Sequence, residues 1–170
     1  MTITEALAEL KVLKKRLETK RAFYLQNVVR DDRLKDPLEG NGGTKTVLTQ
    51  ELQAIKDIEA RMVSLRTAIA KANSATQVQV SGDAKSIADW LIWRRDIAPG
   101  IQQFLASVQQ KIDQGKRTEM FPNRTDGQPM KWAFGVDEKV LVSSIEQFET
   151  ILGTLDGQLS LKNATTSIEV

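Results

Sequence analysis

Seven apolar residues between positions 48 and 69 constrain this chain more than any other feature. Leu48, Leu52, Ile55, Ile58, Met62, Leu65 and Ile69 succeed one another at steps of +4, +3, +3, +4, +3 and +4. Steps of three and four return to one side of an α-helix, so the spacing predicts a long helix with one continuous apolar face. Such a face is stable only when another element covers it.

The covering element is read from the flanks. Upstream, Thr2 and Glu5 have the spacing of a capping box that opens a first helix. Its apolar positions are Ile3, Leu7, Leu10, Leu13, Leu17, Tyr24 and Val28, and Ile3, Leu10, Leu17 and Tyr24 keep a seven-residue step. Asp36-Pro37 disfavours helical backbone and predicts that this helix ends between Arg30 and Lys35. Residues 36–43, DPLEGNGG, read as a turn, and a short turn between long helices predicts an antiparallel hairpin. Asn73 is the expected stop of the second helix.

Downstream the pattern starts again. Residues 76–80, TQVQV, alternate like a strand, Ser81-Gly82-Asp83 reads as a turn, and Ser86 with Asp89 has N-cap spacing. Ile87, Trp90, Leu91, Ile97, Ile101, Phe104 or Leu105, Val108 and Ile112 form the face of a third helix. That face is expected to hold its phase across Pro99, which predicts a kinked helix rather than two. Residues 113–135 look irregular, with a hairpin turn at 123–128 as one reading. Asp137 caps a fourth helix with apolar Leu141, Ile145, Phe148, Leu152, Leu155 and Leu159. The ending, TTSIEV, alternates as TQVQV does.

The expected fold class is therefore mainly α: elongated antiparallel helical hairpins, or a four-helix bundle, with a small β element. The β element is expected to pair residues 76–80 with the C-terminus, with 130–136 as a further strand. The chain reads as a single domain over 1–170, with a two-unit pseudo-repeat of 1–80 and 84–170 as one organisation. At 170 residues it is long enough to build a core without cross-links.

Composition narrows the chemistry. Cysteine and histidine are both absent, which removes thiol chemistry, the commonest general base and the commonest zinc ligand. No EF-hand spacing is present, and GNGGTKT at 40–46 lacks the glycine that a phosphate loop needs before its lysine. The expectation is no enzyme, no catalytic residue, no metal and no cofactor. MTITEALAEL does not read as a signal peptide, and no apolar run approaches a membrane span, so no membrane partner is expected.

Three groups of residues stand out as candidate sites. Trp90, Trp93, Arg94 and Arg95 combine aromatic and guanidinium groups, the composition of an interface hot spot and equally of a core edge. Phe121, Trp132 and Phe134 place aromatics in a long loop, and Ile168 and Val170 end a tail that suits strand addition to a neighbour. Lys11, Lys14, Lys15 and Arg21, with Arg16 and Lys20, make the first helix basic. That basic face reads as a solvated surface, as a self-complementary surface, or as a phosphate grip. The self-complementary reading rests on charge segregation. Residues 1–35 hold nine basic and five acidic residues, and 136–170 hold two and six. An overall charge of +2 argues against nucleic acid as the main partner.

Four stretches carry a resemblance: TITEALAELKVLKKRLETKR, LKDPLEGNGG, KANSATQVQVSGDAKSIADWLIWRRDIAP and LDGQLSLKNATTSIEV. Together they resemble small helical proteins encoded in tailed-bacteriophage genomes, and more distantly the septicolysin-like helical proteins. The resemblance covers most of the chain outside 113–135 and carries no active residues. It implies a structural protein of the virion, a capsid-decorating (cement) subunit or a neck or tail component. Its partners would be other virion proteins or copies of itself, and it would pass through the host cytoplasm during assembly. The competing expectations are a nucleic-acid-associated protein using the basic face, and a small-ligand protein or enzyme with a site near Trp90, Arg94 and Arg95.

Overall fold

The computed structural model describes residues 1–31, 33–120 and 132–170, with the side chains of 118–120 excepted. These residues are mainly helical, with one small two-stranded antiparallel sheet. They group into two compact units, Met1–Thr76 with Leu161–Val170, and Gln77–Ser160.

The first unit opens as the capping box dictates. Helix α1 (Ile3–Asn27) begins after Thr2, whose Oγ1 accepts from the Glu5 N–H at 3.2 Å while Glu5 Oε2 accepts from the Thr2 N–H at 2.7 Å. The helix stops three residues or more before the expected end. Asp36-Pro37 is too far downstream to be the cause. Instead the Asn27 side-chain amide donates to the Phe23 carbonyl, and Asp31 accepts from the Arg33 N–H. Side chains that bond nearby backbone compete with helix continuation.

Helix α2 (Thr44–Ala75) runs antiparallel to α1, as the ion pairs Glu9–Arg61 and Lys20–Glu51 show. Ile3, Ala6, Leu13 and Leu65 form the buried core between them, with Leu10, Ile58, Met62 and Ile69 packed around it. Ile168, returning from the C-terminus, completes that core.

The connector supplies the cap that α2 lacks in its own sequence. Gly43, the residue before the helix, has no side chain to offer, and Gly42 and Gly43 both adopt positive φ (91° and 86°). Asp36 reaches across the turn instead. Its carboxylate accepts from the Thr44 N–H at 2.8 Å, the Thr44 hydroxyl at 2.6 Å and the Leu38 N–H at 2.9 Å. The Thr44 hydroxyl bond, then the backbone bonds, hold the Asp36 carboxyl down to about 2, from 3.8. A carboxyl whose folded-state pKa is lowered stabilises above its unfolded pKa, and the contribution is lost as pH falls toward 2. Protection of the Thr44 and Leu38 amides, measured as exchange relative to the intrinsic rate at each pH, should therefore fall between pH 4 and pH 2, and Asp36→Asn should show reduced protection already at neutral pH.

The second unit opens on a hairpin. Strand β1 (Gln77–Val80) pairs antiparallel with strand β2 (Asp83–Ser86), in the register Gln77 to Ser86 and Val80 to Asp83. The two-residue turn has positive φ at both Ser81 (51°) and Gly82 (93°), the geometry that matches the twist of a tight hairpin. The expected pairing of residues 76–80 with the C-terminus is corrected here. Closing a two-residue loop costs far less entropy than closing one across ninety residues. The tail segment instead makes a single bridge, Ser167 to Thr2. Residues 132–136 are not in a strand; 130–131, like the 123–128 turn, lie outside the described residues.

Both units share one construction. A bridge closes on the residue just before a helix, Thr2 in one and Ser86 in the other. That residue caps the helix through its hydroxyl, with an acidic residue three positions on (Glu5, Asp89). An isoleucine follows into the core (Ile3, Ile87), and the paired segment adds a buried β-branched side chain (Ile168, Val78). TQVQV and TSIEV thus hold equivalent places, each paired within its own unit.

Helix α3 (Ile87–Ile92) passes through a π-turn, Trp93–Ile97, into helix α4 (Ala98–Met120). The helical path across Pro99 is continuous, as expected. The wide turn relieves the clash a proline makes with the carbonyl four residues before it. Counted at 3.6 residues per turn from Ile87, Leu105 and Ile112 fall on its side and turn inward, while Ile97 and Phe104 fall off it and are exposed. Residues 113–120 prove helical rather than irregular. Gly115 belongs to α4, and a Cβ there would stand 2.8 Å from the Phe134 ring.

Helix α5 (Glu138–Thr165) is capped by Asp137, whose Oδ1 accepts from the Lys139 N–H at 2.8 Å. It runs antiparallel to α3 and α4, as the pairs Arg94–Asp156 and Lys116–Glu138 show. Leu155 and Leu159 meet Val78, Val80, Ile87 and Trp90 in the second core.

Candidate interaction surfaces

The tryptophan–arginine cluster divides on folding. Trp90 is 2 % exposed and belongs to the core, so its place among interface candidates is corrected. Its indole N–H donates to the Val78 carbonyl at 3.0 Å, and its ring meets that of Trp93 edge-on at 5.6 Å. Lys85 Nζ lies 4.4 Å from the Trp90 ring centroid. Helical periodicity from Ser86 places Trp90 on the same side as Ile87, and that side faces the hairpin. Trp93 is half-buried, 6.0 Å from the Phe148 ring. Arg94 and Arg95 are exposed but paired, with Asp156 and Asp96 respectively. The Arg95 guanidinium holds the Asp96 carboxyl below its usual range. None of the four presents a free aromatic or a free cation.

The loop and tail candidates also separate. Phe121 lies outside the described residues. Trp132 is exposed, and Phe134 is exposed while resting against Gly115. Ile168 is corrected from interface to core, because it fills the gap beside Ile3 and Ala6. Val170, two residues on, is exposed.

The four basic candidates do not make one face. Arg21 is paired with Glu59 at 2.6 Å. Lys15 lines a shallow surface with Val12, Arg16 and Thr19, all on α1. Lys11 and Lys14 line a different groove, of about 500 Å³, between α1 and α2. Arg66 joins them from α2, with Leu7, Leu10 and Ile69 as apolar neighbours and Asn73 as a polar one. Sequence reasoning missed Arg66. Its one signal was its place beside Leu65 on the second helix, which means nothing until the hairpin register sets it across from Lys14.

Helix α4 carries the largest exposed aromatic side chain outside the loop. Phe104 is 66 % exposed and Ile97, two turns before it, is 51 % exposed. They lie on one side of the helix, with Gly100 between them and Ser107 beyond. No Cβ-sized neighbour crowds Gly100. An apolar knob beside a small residue on a helix is a shape another helix can pack against.

Among the described residues, no group of three or more acidic side chains is placed to hold a metal ion, and no helix is long and apolar enough to cross a membrane. In comparison with known proteins, no family model, curated protein or solved structure matches this chain.

Proposed function

We propose that this chain is a non-catalytic assembly protein that works through protein–protein contacts, as a structural component of a tailed-phage particle. The exposed Ile97–Phe104 side of α4 is the observation that carries the contact role. A phenylalanine two-thirds exposed in a helix gains free energy by being covered, at about 25 cal/mol per Å² of apolar surface removed from water. The phage setting rests on the sequence resemblance alone. Capsid decoration and a neck or tail position both suit a chain of this kind.

Particles purified from a lysate should contain the chain in a fixed ratio to the major capsid protein when measured by quantitative mass spectrometry. Phe104→Glu should fold with an unchanged circular dichroism spectrum and be depleted from those particles by about tenfold or more, as loss of a hot spot predicts. Particles that lack the wild-type chain would overturn the structural reading. Full incorporation of Phe104→Glu would move the contact away from α4.

A further inference from the structure

We infer that the groove between α1 and α2 is a docking site for an acidic, apolar segment of a partner protein. Lys11 and Lys14 on α1 and Arg66 on α2 line it. None of the three has a hydrogen-bond or ion-pair partner among the described residues. Their neighbours differ: Lys20, Arg21 and Arg61, on the same two helices, all pair across the hairpin with Glu51, Glu59 and Glu9. The groove thus gathers three unpaired cations from two helices beside an apolar lining, whereas Lys20, Arg21 and Arg61 are each met by a glutamate.

The rest of the lining says what kind of anion fits. Leu7 is 48 % exposed there, and Leu10, Ile69 and Ala70 add apolar surface without an aromatic ring. Grooves that track nucleic acid pair their cations with aromatic platforms for the bases, and this one has none. A segment carrying leucine-like and carboxylate side chains matches both halves of the lining. The volume, about 500 Å³, lies in the range that holds a few side chains.

Asn73 supplies an independent observation. Its Oδ1 is withdrawn from water with no hydrogen-bond donor among the described residues. A buried acceptor left unpaired is costly, and such groups mark places where a missing partner belongs. A bound peptide offers a backbone N–H at every residue, and rotation of the amide about its Cβ–Cγ bond presents Oδ1 to one. A phosphate chain offers no such donor. The inference does not depend on where the protein works, so it stands whether or not the chain is found in particles.

The test uses the purified full chain and fluorescence anisotropy. The probe is a fluorescein-labelled peptide alternating glutamate and leucine, compared with a lysine–leucine peptide of equal length. Saturable binding of the acidic peptide alone is expected. Lys14→Glu and Arg66→Glu should each weaken it by about tenfold, a difference of about 1.4 kcal/mol. Asn73→Leu should weaken it several-fold while leaving the thermal midpoint unchanged or higher, because it removes an unpaired buried oxygen. That split between binding and stability is what a purely structural role for Asn73 would not produce. Equal binding of the lysine peptide, no saturable binding, or variants without effect would overturn the proposal. So would displacement of the probe by a single-stranded oligonucleotide at lower concentration than by unlabelled acidic peptide, which would assign the groove to nucleic acid.

Discussion

Replacing Trp90 with alanine is expected to cost the second unit about 4 kcal/mol, the upper part of the range for deleting a large buried aromatic. Four losses add up at this position. The indole is 2 % exposed between the hairpin and α5, so its removal leaves a cavity lined by Val78, Val80, Leu155 and Leu159. The Val78 carbonyl loses the indole N–H that donates to it at 3.0 Å. The edge-on contact with Trp93 and the Lys85 ammonium contact also go. Trp90→Phe separates these terms. It keeps most of the apolar volume and removes the indole hydrogen bond, for an expected cost of about 1–2 kcal/mol. Urea unfolding followed by far-ultraviolet circular dichroism measures both. A loss below about 1 kcal/mol for Trp90→Ala would contradict the burial of this residue.

Ile168→Ala is expected to destabilise the first unit by about 3 kcal/mol, as for other buried isoleucines, while Val170→Ala stays within about 0.5 kcal/mol. The two side chains are two residues apart in an extended segment. One points into the core with Ile3, Ala6 and Leu65, and the other is exposed. The backbone ties the segment down as well. The Ile168 N–H donates to the Met1 carbonyl at 2.7 Å and the Ile3 N–H donates to the Thr166 carbonyl at 3.1 Å. A tail free to add a strand to a neighbour would instead show two small, similar effects, and its amides would exchange rapidly in the isolated protein.

Both predictions concern residues whose role the linear pattern left ambiguous. Trp90 and Trp93 are three apart, and a helical wheel places both near the apolar side. The wheel does not say that the hairpin of residues 77–86 will cover one ring and leave the other half-exposed. Phe104 and Leu105 are a different case: adjacent residues on a helix lie about 100° apart, and counting from Ile87 puts Leu105 on its side and Phe104 off it, as their burial shows.

The groove shows a different limit. Lys11 and Lys14 were legible as part of a basic helix, yet they group with Arg66 only through antiparallel packing. Lys15, about 100° round α1 from Lys14, goes to another surface, and Arg21, two turns along from Lys14 on the same side, meets Glu59 instead. A run of charges along a helix is one-dimensional information, and a binding surface is made across two helices.

Local rules were sufficient for much of the rest. The steps of three and four residues in α2 and α5, the Thr2–Glu5 box, the Ser86 and Asp137 caps and the glycines of the connector each act within a few residues. Their energetics are settled by bonds and torsions that the sequence states directly. That is why the helices, most of their starts and the mainly α class follow from the sequence by itself. The burial of the Trp90 ring and of Ile168, and the company kept by each lysine, were decided only by the tertiary structure. Each of these depends on which distant surface arrives to exclude water, and burial is a property of the packed chain rather than of any segment within it.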